Sequence, residues 1–234
     1  MHFSTSVLAL FTIFASSIFA PVQAAPARFA RRAVGASDIA VLSELPISLL
    51  GDVIRSNLIT YITEFADVLE QLESQFYKDA LAKFKDADFV AAGFPSSQVP
   101  VEQFQVIQGD EAAHSVALQS VLKSLNEKPI TTCKFKFDDV LKDVGTMAAV
   151  ARVVEAVGVG AYLGAAPLVK DPVLLTAAGS ILTVEARHQT ILNILSKNGT
   201  AIPSAFDIAL TPNEVLALAS PFIDGPCDLG IKGL

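Results

Sequence analysis

Residues 181–195 read ILTVEARHQTILNIL. On a helix, Leu174, Ala178, Ile181, Glu185, His188, Leu192 and Leu195 recur at steps of four and three, so they share one stripe. A stripe of this kind faces a core. A glutamate and a histidine at its centre therefore need a reason to be buried.

The same anomaly recurs along the chain. Around residues 101–125 the stripe is Phe104, Ile107, Glu111, His114, Leu118, Val121 and Leu125. Around 138–165 it is Ala148, Ala151, Glu155, Gly158 and Tyr162, and around 57–85 it is Ile59, Thr63, Ala66, Glu70, Glu73, Tyr77, Ala80 and Phe84. Each long helical segment thus carries a carboxylate in mid-stripe. Burying one unpaired carboxylate costs several kcal/mol, and four would cost on the order of a domain's entire net stability. No lysine or arginine stands on these stripes. A pair of metal ions supplies the missing positive charge most economically.

Spacing points the same way. Glu-x-x-His places a carboxylate and an imidazole on one helical face, both able to reach one ion. Both histidines outside the leader, His114 and His188, lie in such a motif, with Glu111 and Glu185; the third histidine is His2. A single Glu-x-x-His is more often a solvated pair, so the repetition carries the argument. Glu70 precedes Tyr77 by seven residues and Glu155 precedes Tyr162 by seven, and each pair is followed one helix later by a Glu-x-x-His. The chain reads as two related helical hairpins.

Length and composition set the frame. The 234 residues are 52% hydrophobic with a formal net charge of −7, which suits one sizeable domain and argues against a nucleic-acid partner or an anionic membrane surface. The start, MHFSTSVLALFTIFASSIFAPVQAAPA, has an apolar run and then Val22-Gln23-Ala24, the pattern of a signal peptide over residues 1–24. Residues 25–37 contain Arg31-Arg32, either a dibasic pro-segment site or a solvated charge pair. The expected location is secreted or extracellular, including the cell wall, with no membrane span after cleavage. In that oxidising setting Cys133 and Cys227 are expected to form one disulfide, two buried thiols being the alternative. Asn198-Gly199-Thr200 is a glycosylation sequon at Asn198.

Four long helices are expected, over about 57–85, 101–125, 138–165 and 173–195, with a short fifth starting at the capping-box sequence Thr211-Pro212-Asn213-Glu214. The loop at 93–100 carries glycine and prolines, and TTCKFKF (131–137) alternates like a locally extended segment. The glycine-rich GVGAYLG (158–164) lies inside the third helix and reads as close helix packing. No segment offers a sheet. The fold class is all-α: a four-helix bundle over 38–200 with a C-terminal extension over 201–234 that adds a short helix.

One glutamate from each of two helices with a Glu-x-x-His from each of the other two is the ligand set of ferritin-like dinuclear carboxylate proteins. The stretches LEQLESQFYKDAL, GDEAAH, VVEAVGVGAYLGAAPLV and ILTVEARHQTIL, with the tail LALASPFIDGPC, resemble the secreted ferritin-like domain proteins over about 57–227. These include fungal stress-response and late-sexual-development proteins, plant desiccation-related proteins and a ferritin-like catalase. The resemblance implies a ferritin-like bundle with Glu70, Glu111, His114, Glu155, Glu185 and His188 as ligands of two Fe or two Mn ions, and Glu73 as the alternative to Glu70. It also implies that Tyr77 and Tyr162 each hydrogen-bond a carboxylate of the opposite hairpin. The chain lacks a Cys-x-x-Cys pair of the rubrerythrin kind.

Two functions stand against each other at this point. One is a catalase- or oxidase-like centre acting on O2 or H2O2; the other is a non-enzymatic stress, desiccation or developmental protein with a structural or vacant site. Iron and manganese are not separated by the sequence, and a homo-oligomer is left open.

Overall fold

The computed structural model describes residues 51–197, 200–225 and 227. The leader, the residue 25–37 segment, His2 and Asn198 lie outside the described residues. Among the described residues the elements are α1 (Gly51–Lys83), α2 (Asp86–Ala91), α3 (Gln98–Ser124), α4 (Val144–Ala165), α5 (Pro172–Leu195) and α6 (Pro212–Ala219), with short 3-10 turns after α4 and α6. The protein is all-α, with only an isolated bridge between Phe135 and Ile223 among the described residues.

Local chemistry sets the helix ends. Asp143 caps α4 by accepting from Thr146 N at 2.7 Å. Asp171 caps α5 by accepting from Val173 N and Leu174 N, with Pro172 at the first helical position. Thr211 and Glu214 form the capping box of α6. At the end of α5 the chain turns through Lys197, whose φ of 55° is left-handed, so the stop comes before Gly199.

The expected third helix began too early. Val140, Leu141, Val144, Met147 and Ala148 are all buried, but 138–143 are turns and the helix starts after the Asp143 cap. The apolar spacing continued across a turn, where burial needs no helix. The second helix begins at Gln98, earlier than expected, because Pro100 is tolerated in a first turn. Helix α2 is not among the helices expected from the sequence; it is six residues long and buries only Phe89, too little for a periodic signal.

The helices pair as two antiparallel hairpins. Ser74 meets Gln108 while Asp67 meets Ser115, so α1 and α3 run in opposite directions. Between hairpins, Tyr77 meets Glu155 and Tyr162 meets Glu70, so α1 and α4 are also antiparallel. Consequently α3 and α4 run parallel, and residues 125–143 must travel back along the bundle. That crossover buries Phe137, Val140 and Leu141 against Phe76, Phe104 and Met147. Helix α4 with its following turn is apolar and long enough to cross a membrane, yet 78% of its most apolar window is buried among the other helices.

The residues after α5 form a strap. Leu210 N donates to Gly160 O at 2.9 Å, and a Cβ at Gly164 would lie 1.9 Å from Leu210 O. Gly160 and Gly164 are therefore the docking groove for the strap. The Cys133–Cys227 disulfide, whose ends are 94 positions apart in the sequence, ties the strap to the crossover.

Candidate metal centre

Four helices place their mid-stripe polar residues at one level of the bundle. Glu70, Glu111, Glu155 and Glu185 are each 1% exposed or less, and His188 is buried as well. Two groups form around them: Glu70, Glu111, His114 and Glu185, and Glu111, Glu155, Glu185 and His188, each with one ligand atom per residue within 4.8 Å of the others. Glu111 and Glu185 belong to both.

Both imidazoles turn Nδ1 inward. His114 Nδ1 lies 3.0 Å from Glu111 Oε2, 3.2 Å from Glu70 Oε2 and 3.2 Å from Glu185 Oε1. His188 Nδ1 lies 2.7 Å from Glu111 Oε1 and 3.3 Å from Glu155 Oε2. Outside this cluster, His188 Nε2–H donates to Asp110 Oδ2 at 3.0 Å, which fixes the ring with Nδ1 toward the centre.

The tyrosines cross between hairpins. Tyr77 OH donates to Glu155 Oε1 at 2.6 Å, and Tyr162 OH donates to Glu70 Oε1 at 2.5 Å. Each occupies one oxygen of a carboxylate and leaves the second, Glu155 Oε2 or Glu70 Oε2, turned toward an imidazole. Glu73, 3% exposed, also faces inward but belongs to neither four-residue group. Its Oε1 lies 3.2 Å, and Glu185 Oε2 2.7 Å, from where a Cβ of Gly158 would sit. The glycine leaves the space that these two carboxylates use.

The electrostatics are those of an anion cluster short of cations. Burial raises the Glu70 carboxyl to about 8, with neighbouring Glu111 adding to the rise and His114 opposing it. Burial raises Glu73, Glu155 and Glu185 as well, and the carboxylates beside them push in the same direction. At Glu111 burial also pushes upward, but the flanking His114 and His188 outweigh it and hold this carboxyl at about 2. Burial lowers both histidines, yet the surrounding carboxylates raise His114 to about 12 and His188 to about 11.

These residues fit a metal. Glu111 Oε1, Glu155 Oε2, both Glu185 oxygens and His188 Nδ1 are buried and make no well-directed hydrogen bond, although several crowd within 3.3 Å of an imidazole nitrogen or a carboxylate oxygen. Buried polar atoms are nearly always satisfied, so this many converging orphans mark a place for a ligand-accepting ion. Carboxylate oxygens with imidazole suit iron or manganese better than thiophilic metals.

Helical spacing located six of these residues; it passed over Asp110. Asp110 directly precedes Glu111 and so points across to the neighbouring helix, where it meets His188. The adjacent Asp-Glu in GDEAAH was the available signal, but only packing shows which helix the aspartate faces.

A bundle whose two Glu-x-x-His helices close on a buried carboxylate cluster defines a class of metal-binding helical proteins. The sequence profile of the ferritin-like domain matches residues 60–198, more than half of the chain, and the chain belongs to that family. Comparison with curated proteins gives no match.

Proposed function

We propose that the chain is a secreted dinuclear iron or manganese protein that reacts with H2O2 or O2 in the manner of a catalase or oxidase. The observation that carries this reading is the overlap of two four-residue donor groups through Glu111 and Glu185. Glu70, Glu111, His114 and Glu185 would hold one ion, and Glu111, Glu155, Glu185 and His188 would hold the other. When bound, the metal pair supplies the electrons exchanged with oxygen or peroxide.

The chain's own residues have separate tasks. Tyr77 and Tyr162 hold Glu155 and Glu70 in place through their phenol protons. Asp110 fixes the tautomer of His188. Burial keeps bulk water from the carboxylates and, with the neighbouring Glu185, raises the Glu73 carboxyl well above its ordinary range. The leader-like start and the Cys133–Cys227 disulfide support secretion.

Metal content of the natively produced protein, measured alongside H2O2 decay, is the test. The expected result is close to two iron or manganese ions per chain and peroxide decay that disappears in Glu185→Ala and His188→Ala. Protein free of both metals, or turnover unchanged in both variants, would overturn the reading.

A further inference from the structure

One end of the bundle holds an apolar cavity of about 140 Å3 that the metal centre itself does not require. Ile62, Ala66 and Leu69 of α1, Leu118 of α3, Ala161 of α4 and Ile181 of α5 form its walls. At its inner end stand Glu70, Glu73 and Tyr162, so the cavity opens onto the carboxylate cluster. The strap closes one side with Leu210 and Pro212, both beyond the residues that match the ferritin-like profile.

The cavity exists because two helices contribute little volume there. Ala161 and Ala165 on α4 and Ala177 and Ala178 on α5 face it, opposite larger side chains on α1 and α3. A close-packed interior does not leave such a space without losing contacts on its lining. The cavity is open on one side, and a lining this apolar offers water few partners while its volume suits a molecule about the size of benzene. Dioxygen needs much less room, and peroxide would find almost no polar partner before the carboxylates.

We infer that this cavity is a binding site for an apolar organic molecule or group, of about the volume of one aromatic ring, held with its inner end against Glu70 and Glu73. The strap that docks on Gly160 and Gly164 sets the width of the site through Leu210. The walls recognise hydrocarbon by shape and by their shortage of polar groups. The site stands independently of the metal reading, because its walls are complete without an ion.

Toluene is a suitable probe. Binding to the full chain is measured by calorimetry in the presence of chelator, with cross-relaxation from toluene to the methyl groups of Leu118 and Ile181 as the locator. The expected result is saturable one-to-one binding, with cross-relaxation to both residues and at least tenfold weaker binding in Ala178→Phe and Ala66→Leu. Circular dichroism shows whether each variant keeps its helices; if neither folds, cross-relaxation in the unaltered protein decides. Absence of saturable binding to the full chain, as when another segment already fills the space, overturns the inference. So does binding that both folded variants leave unchanged. Toluene binding in a protein that never takes up metal would sink the proposed function and leave this site standing; metal uptake without toluene binding would do the reverse.

Discussion

The two hairpins, α1 with α3 and α4 with α5, bring matching acids and imidazoles to the centre, yet they differ at two equivalent positions. Three residues after Glu70 stands Glu73, whereas three residues after Glu155 stands Gly158. One residue before Glu111 stands Asp110, whereas one residue before Glu185 stands Val184. The first difference is complementary: the side chain missing at Gly158 is the room into which Glu73 and Glu185 reach. The second makes the imidazoles unequal. His188 is clamped from outside by Asp110 and is 6% exposed, while His114, 12% exposed, has its contacts to carboxylates on the inward nitrogen. A repeat can thus specify a pseudosymmetric cage while small departures give its halves separate properties.

Gly158→Ala tests the first departure and has the largest expected effect. The new Cβ would meet Glu185 Oε2 at 2.7 Å and Glu73 Oε1 at 3.2 Å, and the donor shared by both halves must move. Metal content should fall to near zero, with an overpacking cost of about 1–3 kcal/mol seen in denaturant unfolding. Gly164→Ala is the control. It clashes with Leu210 of the strap and should lower stability while metal content stays near that of the unaltered protein. Equal metal loss in both would mean that Gly158 has no special role at the centre.

Asp110→Asn tests the second departure. An amide cannot hold the His188 ring as a carboxylate does, and changes of this kind weaken metal affinity about 10–100-fold. The loss should fall on the half built around His188, so metal titration should resolve one weakened and one nearly unchanged step. Uniform weakening of both steps would show that the halves are not separately tuned.

The smallest expected effect is a pH trend in the chelated protein. Glu70 is raised from 4.5 to about 8, so its contribution is present below 4.5 and lost as pH rises through 8. His114 and His188 are raised as well, and their contribution, present below 6.5, is lost toward about 12 and 11. Glu111 acts in the opposite sense, but only as pH falls below 4.5 toward 2. Between pH 5.5 and 8.5 the melting temperature should therefore fall by several degrees without metal and much less with it, since bound cations replace the protons. A flat or rising profile in chelator would contradict the described electrostatics.

Much of this was legible in one dimension. Helical periodicity registers apolar residues every three or four positions, and a glutamate or histidine in that register stands out because burying it is costly. That reasoning located Glu70, Glu111, His114, Glu155, Glu185 and His188 and the all-α class. It failed where burial occurs without periodicity. Val140 and Leu141 are core residues of a turn, and α2 is too short to repeat. Residues such as Asp110, whose partner lies on another helix, leave no pattern along their own.

The sequence by itself determined which faces of the helices carry charge into the core, because α-helical spacing is a local property of the backbone. Only the tertiary structure decided that those faces meet at one level, that Glu111 and Glu185 serve both donor groups, and that Gly158 makes room for Glu185 and Glu73. It alone also decided that Leu210 closes an apolar cavity beside the carboxylates. These depend on distances between segments far apart in the chain, and those distances are set by how the helices pack rather than by what any one of them contains.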